Sequence, residues 1–450
     1  MARVAVVQGG LELSNKKKTI IMKIEQLYKL YEECNGLTTD SRDCPQGSMF
    51  FALKGESFDG NKFAAMALEK GCSWAVIDNA DYAVDNRYIV VDDCLATLKL
   101  LARHHRRQFD IPVIAITGTN GKTTTKELTA AVLGEKYNVL YTQGNFNNDI
   151  GVPKTLLRLN KDHEIAIIEM GASHPGDIIT LAETAEPTCG LITNVGRAHL
   201  QGFGSFEGVV KTKGELYDFL RTQKSATVFL HRDNEHLTAI ADGVNTVSYG
   251  AGSDNAVWGT VKACNPTLEI EIGVCDCAPC HIKTNLIGTY NLTNILAAAC
   301  VGQYFGVSIQ QVSHALSHYV PTNNRSQLTV TTTNRLIVDA YNANPTSMMA
   351  ALQNFRDMDV ANKMVILGDM KELGDVSAEE HKRIVDFIAE CDFCDVWLVG
   401  SEFAATECYF RKFVNVDEVK AAIENDKPTE MFILIKGSNS TKLYLLPELL

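Results

Sequence analysis

Residues 111–125, IPVIAITGTNGKTTT, place a short apolar run, a glycine-bounded turn and a helix start in direct succession. The turn is Gly118, Thr119, Asn120 and Gly121, and Lys122, Thr123 and Thr124 open the helix. That order suits phosphate. Glycines let backbone N–H groups approach phosphate oxygens, a helix N-terminus favours negative charge, a lysine adds a mobile cation, and a threonine hydroxyl can ligate Mg2+. Ile116 stands where the general phosphate loop has its first glycine, and the competing reading is an ordinary strand–helix turn.

A nucleotide bound there needs a divalent cation to neutralise the phosphoryl group in transfer. Glu169 ends the apolar run IAIIE at residues 165–169, and an acid at the C-terminal tip of a parallel strand lies where α/β sheets bind ligands. His199 follows the next such run, on the loop NVGRAHL at residues 194–200. Taken singly, Glu169 also reads as a surface acid and His199 as a structural histidine.

These residues need elements to hold them. The apolar runs at 113–117, 138–141, 165–168 and 190–193 are continuous rather than alternating, which predicts strands buried on both faces of a parallel sheet. A second series is expected at 335–340, 364–367, 396–399 and 432–435. Between them, residues 253–287 alternate polar and apolar types, the pattern of antiparallel hairpins. Ahead of Ile111 lies a smaller α/β module, with helices at 22–34 and 95–107 and strands at 48–53 and 74–77. No internal repeat of 20–50 residues interrupts this plan.

A length of 450 residues fits three domains rather than one, with pattern changes near Arg107 and Val320. The expected organisation is an extension at 1–21, then regions at 22–107, 108–320 and 321–450. A net charge of −12 argues against general nucleic-acid binding, which needs a basic face. Thirteen cysteines without a repeating framework predict reduced thiols in the cytoplasm. No apolar stretch reaches the roughly 18 residues of a membrane span, so no membrane insertion is expected.

Taken together, the motifs resemble a known family. GTNGKTTTKE (118–127), GNFNNDIGVP (144–153), EMGASHPGDI (169–178) and TNVGRAHLQGFGS (193–205) resemble the central ATPase domain of the Mur ligases. DAYNANPTSM (339–348), LGDMKELG (367–374) and IKGSNS (435–440) resemble the third domain of the member that adds a D-alanyl-D-alanine dipeptide. Thr39-Asp40-Ser41-Arg42 and GSMFFALKGESFDG (47–60) resemble its uridine-binding first domain. The resemblance implies a three-domain α/β architecture: a small N-terminal α/β domain that binds the UDP substrate, a central P-loop ATPase domain with a mostly parallel sheet plus antiparallel strands, and a C-terminal Rossmann-like domain for the dipeptide.

It further implies an ADP-forming ligase acting as a monomer. ATP would phosphorylate the terminal carboxylate of UDP-N-acetylmuramoyl-tripeptide, and the amine of D-alanyl-D-alanine would displace phosphate from that acyl phosphate. By position, Gly118 to Thr124 would cradle ATP, with Lys122 on the β- and γ-phosphates. Thr123 and Glu169 would hold one Mg2+ and His199 would help hold a second. Lys213, in KTKGELY at 211–217, matches a lysine the family carbamylates, although spacing alone reads it as a solvated helix lysine. Asn291 and Asn294 match an adenine-contacting segment, and Arg325 and Asp339 match third-domain residues that reach the nucleotide. Ser41, Arg42, Lys54, Asn147 and Asn148 are the implied contacts to the UDP substrate. Asn342, Asn344, Lys436 and Ser438 are those to the dipeptide. Tyr290, Gln201 and Asn61 depart from the residue types usual at their places, and Arg325 lies in an unusual NNRSQ context.

Other readings were weighed. Cys275, Cys277, Cys280 and His281 have metal-ligand spacing, but no partner pair follows at zinc-site distance, which leaves ordinary loop thiols. His104 to Arg107 read as a basic helix end favoured by the helix dipole rather than as an anion patch. A sibling Mur ligase or a folylpolyglutamate-synthetase-like ligase is the nearest alternative activity; a regulatory P-loop ATPase and a non-catalytic scaffold are further ones. The third residue of the tripeptide is not legible. Residues 1–21 lack the order of a secretory signal, since Lys16, Lys17 and Lys18 follow the apolar stretch, and Met22 is the expected start of the fold. Deletion of residues 1–21 is expected to leave ATP-dependent activity within about twofold, because edge additions far from a site change rates little; a steady-state assay of the truncated chain checks it.

Overall fold

The computed structural model describes residues 4–6, 20–274, 277–322 and 325–450. Cys275 lies outside them, as do most of residues 1–21 and two residues of the NNRSQ segment. The chain forms two compact units by internal contact, the first made of residues 1–115, 138–171 and 179–188, the second of residues 116–137, 172–178 and 189–450.

The first unit carries a six-stranded sheet in the order Ile20–Met22, Val4–Val6, Tyr88–Val91, Trp74–Ile77, Met49–Phe51 and Leu37–Thr38. The last four are mutually parallel, whereas Val4–Val6 pairs antiparallel with both neighbours. The sheet therefore begins before Met22: backbone pairing recruits part of the segment expected to lie outside the fold. The expected helices appear as Ile24–Glu32 and Cys94–Arg106. The basic end of the latter is structural. Arg106 is buried and donates to the Ala185, Phe109, Ile111 and Glu186 carbonyls, while Arg103 and Arg107 both pair with the Glu186 carboxylate. Carbonyl capture rather than the helix dipole fixes this end.

The same unit holds Val139–Tyr141 and Ile165–Glu169 as a parallel pair. Every residue of Ile165–Glu169 is buried, as its unbroken apolar run predicts. The Ala166 N–H donates to the Pro112 carbonyl, which sets this strand beside the approach to Val113–Thr117.

In the second unit, Cys189–Ile192, Thr227–His231, Asn245–Gly250 and the first residues of Val257–Cys264 form parallel neighbours. Val257–Cys264, Thr267–Val274 and Cys280–Ile287 follow as antiparallel hairpins, as the alternation at 253–287 predicts. The Thr193 N–H donates to the Thr117 carbonyl, so the chain leaving Cys189–Ile192 runs beside the strand that feeds the glycine turn. A second sheet of this unit runs Gln327–Val330, Arg335–Asp339, Phe432–Lys436, Lys363–Gly368, Asp395–Val399 and Arg411–Phe413. All of its pairs are parallel except the first.

This last sheet shows why its strands are apolar without a break. Ile337, Val365, Leu367, Leu398, Phe432 and Leu434 pack into one core with Phe355, Leu352 and Ile384 from the helices Pro345–Asp357 and Ser377–Ala389. Leu336, Val338, Met364, Ile366, Trp397, Ile433 and Ile435 pack into another with Val419 and Ile423 from Val416–Asn425. Side chains alternate between faces along a strand, so a sheet covered on both sides must be apolar at every position. No helix among the described residues is long and apolar enough to cross a membrane. Phe355 is fully buried, and Phe355→Ala is expected to cost roughly 3–5 kcal/mol through lost transfer energy and the cavity left behind; urea unfolding reads it as a lower midpoint.

Candidate active site

The strand Val113–Thr117 is buried throughout and delivers the chain to Gly118, whose φ is +139°. A Cβ on Gly118 would stand 2.1 Å from Thr193 Oγ1, so only glycine passes there. Gly121 has φ +79°, and a Cβ on it would meet Asn294 Oδ1 at 2.4 Å. It precedes the helix Lys122–Gly134, which no side chain caps. A helix start without a side-chain cap, reached through a left-handed glycine, is the backbone geometry that receives an anion.

The turn between these glycines is held from outside. Asn120 N–H donates to Asn194 Oδ1 at 3.0 Å, and the Asn120 carbonyl accepts from Thr193 Oγ1 at 2.6 Å and Asn194 Nδ2 at 3.0 Å. Thr119 N–H donates to the Asn194 carbonyl, and Thr119 Oγ1 accepts from the Gly196 N–H at 2.9 Å. Lys122 Nζ curls back to donate to the Gly118 and Thr119 carbonyls, at 2.8 and 3.1 Å, which holds its charge over the turn.

Asn291 and Asn294 sit beneath the turn rather than beside it. Asn291 donates to the Ile287 carbonyl, Asn294 donates to Asn291 Oδ1, and Asn294 Oδ1 accepts from Thr125 Oγ1 at 3.1 Å. Both are buried, so their amides brace the start of the helix. Tyr290, one of the unusual residues, donates to or accepts from Ser326 Oγ at 2.7 Å.

Lys213 lies on the helix Phe206–Arg221 and is 2% exposed, not solvated as spacing alone suggests. Its Nζ is 3.5 Å from the Ala172 carbonyl and 5.3 Å from the centre of the Phe203 ring. Burial first, and the Lys122 charge second, push its pKa down to about 7, against the opposing pull of Asp177 and Glu215. Glu215, two residues on, accepts from the Gly176 N–H at 2.8 Å and ties the 172–178 segment to this helix.

His199 takes a left-handed backbone, φ 52°, and its Nδ1 pairs with the Glu372 carboxylate. The His199 contact holds the Glu372 carboxyl below its ordinary value. Sequence reading missed Glu372, Thr193 and Asn194 as individual contributors. Each matters through a partner at least 70 residues away along the chain, a relation no local pattern carries.

In the first unit Glu169 is 1% exposed, its N–H donates to Thr142 Oγ1, and Oε1 accepts from Asn147 Nδ2 at 2.8 Å. Asn148 Oδ1 accepts from the Ile150 and Gly151 N–H groups just ahead of the helix Gly151–Leu156. Arg42 forms a forked pair with Asp40, Lys54 pairs with Asp78 at 2.8 Å, and the Ser41 carbonyl accepts from Lys70. Asn61 accepts from the Asp78 and Asn79 N–H groups and donates to Asp59 and Asp78, so it organises the same corner.

At the carboxyl ends of the last sheet, Asp339 and Lys436 lie level on neighbouring strands and pair at 2.5 Å, and Lys436 also reaches the Asn342 carbonyl at 3.4 Å. Arg325 lies over the Tyr341 ring, 4.1 Å from its centre. Ser438 Oγ accepts from the Lys371 N–H. Asn344 caps the helix Pro345–Asp357 by accepting from the Ser347 N–H, and its Nδ2 donates to Asn120 Oδ1 at 2.7 Å. The structure thus joins a residue expected at the dipeptide to one expected at the nucleotide. Cys277 is exposed, and His281 pairs with Glu269 at 3.3 Å; among the described residues no group of three His, Cys, Asp or Glu is placed to hold a metal.

Comparison with known proteins bears on this arrangement. Residues 33–106 match the family model for the Mur ligase catalytic domain, 116–302 that for the Mur ligase middle domain, and 324–439 that for the Mur ligase glutamate ligase domain. The UDP-N-acetylmuramoyl-tripeptide--D-alanyl-D-alanine ligase of Bacillus subtilis is 37% identical over 434 residues, covering 91% of each chain. The Escherichia coli enzyme of the same name is 32% identical, covering 91% of this chain and 92% of its own. Among solved structures, MurF from Acinetobacter baumannii superposes with a TM-score of 0.83 at 30% identity, covering 94% of this chain and 97% of that one. MurF ligase from Thermotoga maritima in complex with ADP gives 0.83 at 26%, covering 93% and 97%. With its three α/β regions, its glycine turn and these matches along nearly its whole length, this chain belongs to the Mur ligase family.

Proposed function

We propose that this chain is an ATP-dependent, ADP-forming ligase that joins D-alanyl-D-alanine to UDP-N-acetylmuramoyl-tripeptide, giving the pentapeptide precursor of peptidoglycan in the cytoplasm. The reading is supported by relatives that carry this activity in their names and by a neighbour solved with ADP. The observation that carries it is the Asn120–Asn344 hydrogen bond, since it links the phosphate turn to the part of the chain proposed to receive the dipeptide. Division of labour among residues 22–107, 108–320 and 321–450 follows, in line with the three family models.

A carboxylate resists amine attack until one oxygen becomes a phosphate leaving group, so the enzyme must phosphorylate first and exclude water until the amine arrives. Gly118 to Thr124 would cradle the triphosphate, and Lys122 would swing from its turn carbonyls to the β- and γ-oxygens. Oxygen donors with one imidazole suit a hard divalent ion, and Thr123, Glu169 and His199 provide that set. Bound Mg2+, two ions in this reading, would neutralise charge on the phosphoryl group. The His199–Glu372 pair supports the assignment, because a ligating histidine usually gives its other nitrogen to a carboxylate.

Lys213 fits carbamylation. CO2 adds only to a neutral amine, and burial that brings the pKa to about 7 leaves much of Lys213 neutral near neutral pH. The carbamate would turn a buried cation into an acceptor for metal. Asn147 and Asn148, with Ser41, Arg42 and Lys54, would orient the UDP substrate; Asp339 and Arg325 would reach the nucleotide; Asn342, Lys436 and Ser438 would orient the dipeptide.

Three outcomes test this. Phosphate release measured with UDP-muramoyl-tripeptide alone, with D-alanyl-D-alanine alone and with both should be substantial only with both; equal release in every arm indicates a simple ATPase. Lys213→Ala should lose roughly 100-fold in kcat and regain part of it with added acetate, because an external carboxylate replaces the missing metal acceptor; full activity without acetate removes the carbamate. Finally, Lys213 is charged below pH about 7 and neutral above it, so at fixed dissolved CO2 the ligation rate should rise as pH passes upward through that value; a flat profile contradicts the assignment.

A further inference from the structure

Glu380 is an unusual carboxylate. It sits in the first turn of the helix Ser377–Ala389 and its side chain is only 5% exposed. A carboxylate this buried is costly unless a cation compensates it. Two arginines do. Arg383 Nη1, one turn along the same helix, stands 3.7 Å from Oε2, and Arg197 Nη1 stands 3.6 Å from Oε1. Arg383 belongs to the same helix, so its contact is local. Arg197 comes from the loop after Cys189–Ile192, and it has open solvent available, its side chain being 60% exposed.

What Arg197 is attached to gives the contact its meaning. Its neighbour Gly196 donates to Thr119 Oγ1 in the phosphate turn, and two residues earlier Asn194 holds Asn120 by two hydrogen bonds and Thr119 by a third. Thr346 and Thr119 both crowd Gly196, where a Cβ would lie 3.2 Å from Thr346 Oγ1 and 3.4 Å from Thr119 Cγ2. A Cβ on Gly374 would meet Gln201 at 3.6 Å. The 194–201 loop therefore touches both the phosphate turn and parts of residues 344–380.

We propose that Glu380 is a positioning residue for the nucleotide site: by holding Arg197 it fixes the 194–201 loop, and through Gly196 and Asn194 that loop sets the shape of the Gly118–Gly121 turn. This rests on the nucleotide-binding reading of the turn, but not on which acid and amine are joined. The geometry assigns Arg383 the separate task of compensating charge within its own helix.

The test uses the full-length chain with Arg197→Met, Glu380→Gln, the double variant and Arg383→Met, with MgADP affinity by calorimetry, ligation kinetics and thermal midpoint measured on each. Arg197→Met and Glu380→Gln should each weaken MgADP by roughly 10-fold, the usual span of coupling between two sites. The double variant should be no weaker than either single one, as expected for residues acting as a unit. Arg383→Met should leave MgADP affinity within about twofold whatever it does to the midpoint, and Arg197→Lys should recover most of the loss. Unchanged affinity in Glu380→Gln, additive losses in the double variant, or losses that follow the thermal midpoint across all variants would overturn the proposal. MgADP binding needs no acceptor, so absence of pentapeptide formation in the unmodified chain would strike the ligase reading alone.

Discussion

The site depends on one close approach, that of the Gly118–Gly121 backbone to the side chains that surround it. At both glycines the backbone takes a positive φ, and at both a Cβ would collide with a polar atom within 2.4 Å. The turn can therefore be held closely by Thr193 and Asn194, which bond to Asn120, while Asn294 bonds to Thr125 just beyond it. A loop pinned in this way is preorganised, and preorganised donors gain most of their advantage by not having to rearrange. The price is chemical narrowness, since no side chain beyond hydrogen is tolerated at either position.

The protein buries charge that an ordinary core would exclude. Lys213, Glu169, Lys436 and Glu380 are each 5% exposed or less. Their compensation differs, and the difference separates roles. Lys436 has an ion-pair partner at 2.5 Å in Asp339, on the neighbouring strand. Glu169 accepts from Asn147, and Glu380 faces two arginines. Lys213 lies beside a carbonyl at 3.5 Å and an aromatic face, and burial outweighs the pull of Asp177 and Glu215, so its pKa falls to about 7. Desolvation that outweighs nearby counter-charge is how a lysine becomes reactive near neutral pH.

Several polar residues do two things at once. Asn344 is both the cap of Pro345–Asp357 and the partner of Asn120, and Asn147 both accepts the Gly171 N–H on its carbonyl and holds Glu169 with its amide. Helix ends need such caps regardless of function, so a motif residue can be fixed by local geometry while its remaining hydrogen-bond capacity serves the site. By contrast, the basic end of Cys94–Arg106 is wholly structural. Glu186 and four main-chain carbonyls absorb all three arginines.

Much of this was written in local sequence. Unbroken apolar runs gave the strands that feed Gly118, Glu169 and Lys436, because a sheet covered on both faces admits no polar alternation. The phosphate turn was legible for the same reason, since strand, glycines, lysine and helix are consecutive. Tertiary structure alone decided the rest. Spacing placed Lys213 on a wet helix surface, and only tertiary packing, with Ala172 and Phe203 against its amine, makes it buried and readily deprotonated. Asn291 and Asn294 also bond to each other and to the Ile287 carbonyl, and the pairing of Arg197 with Glu380 and of His199 with Glu372 joins residues more than 170 apart in the chain. Burial and long-range pairing are properties of what comes to lie opposite a residue, and a chain records its neighbours in order, not its partners in space.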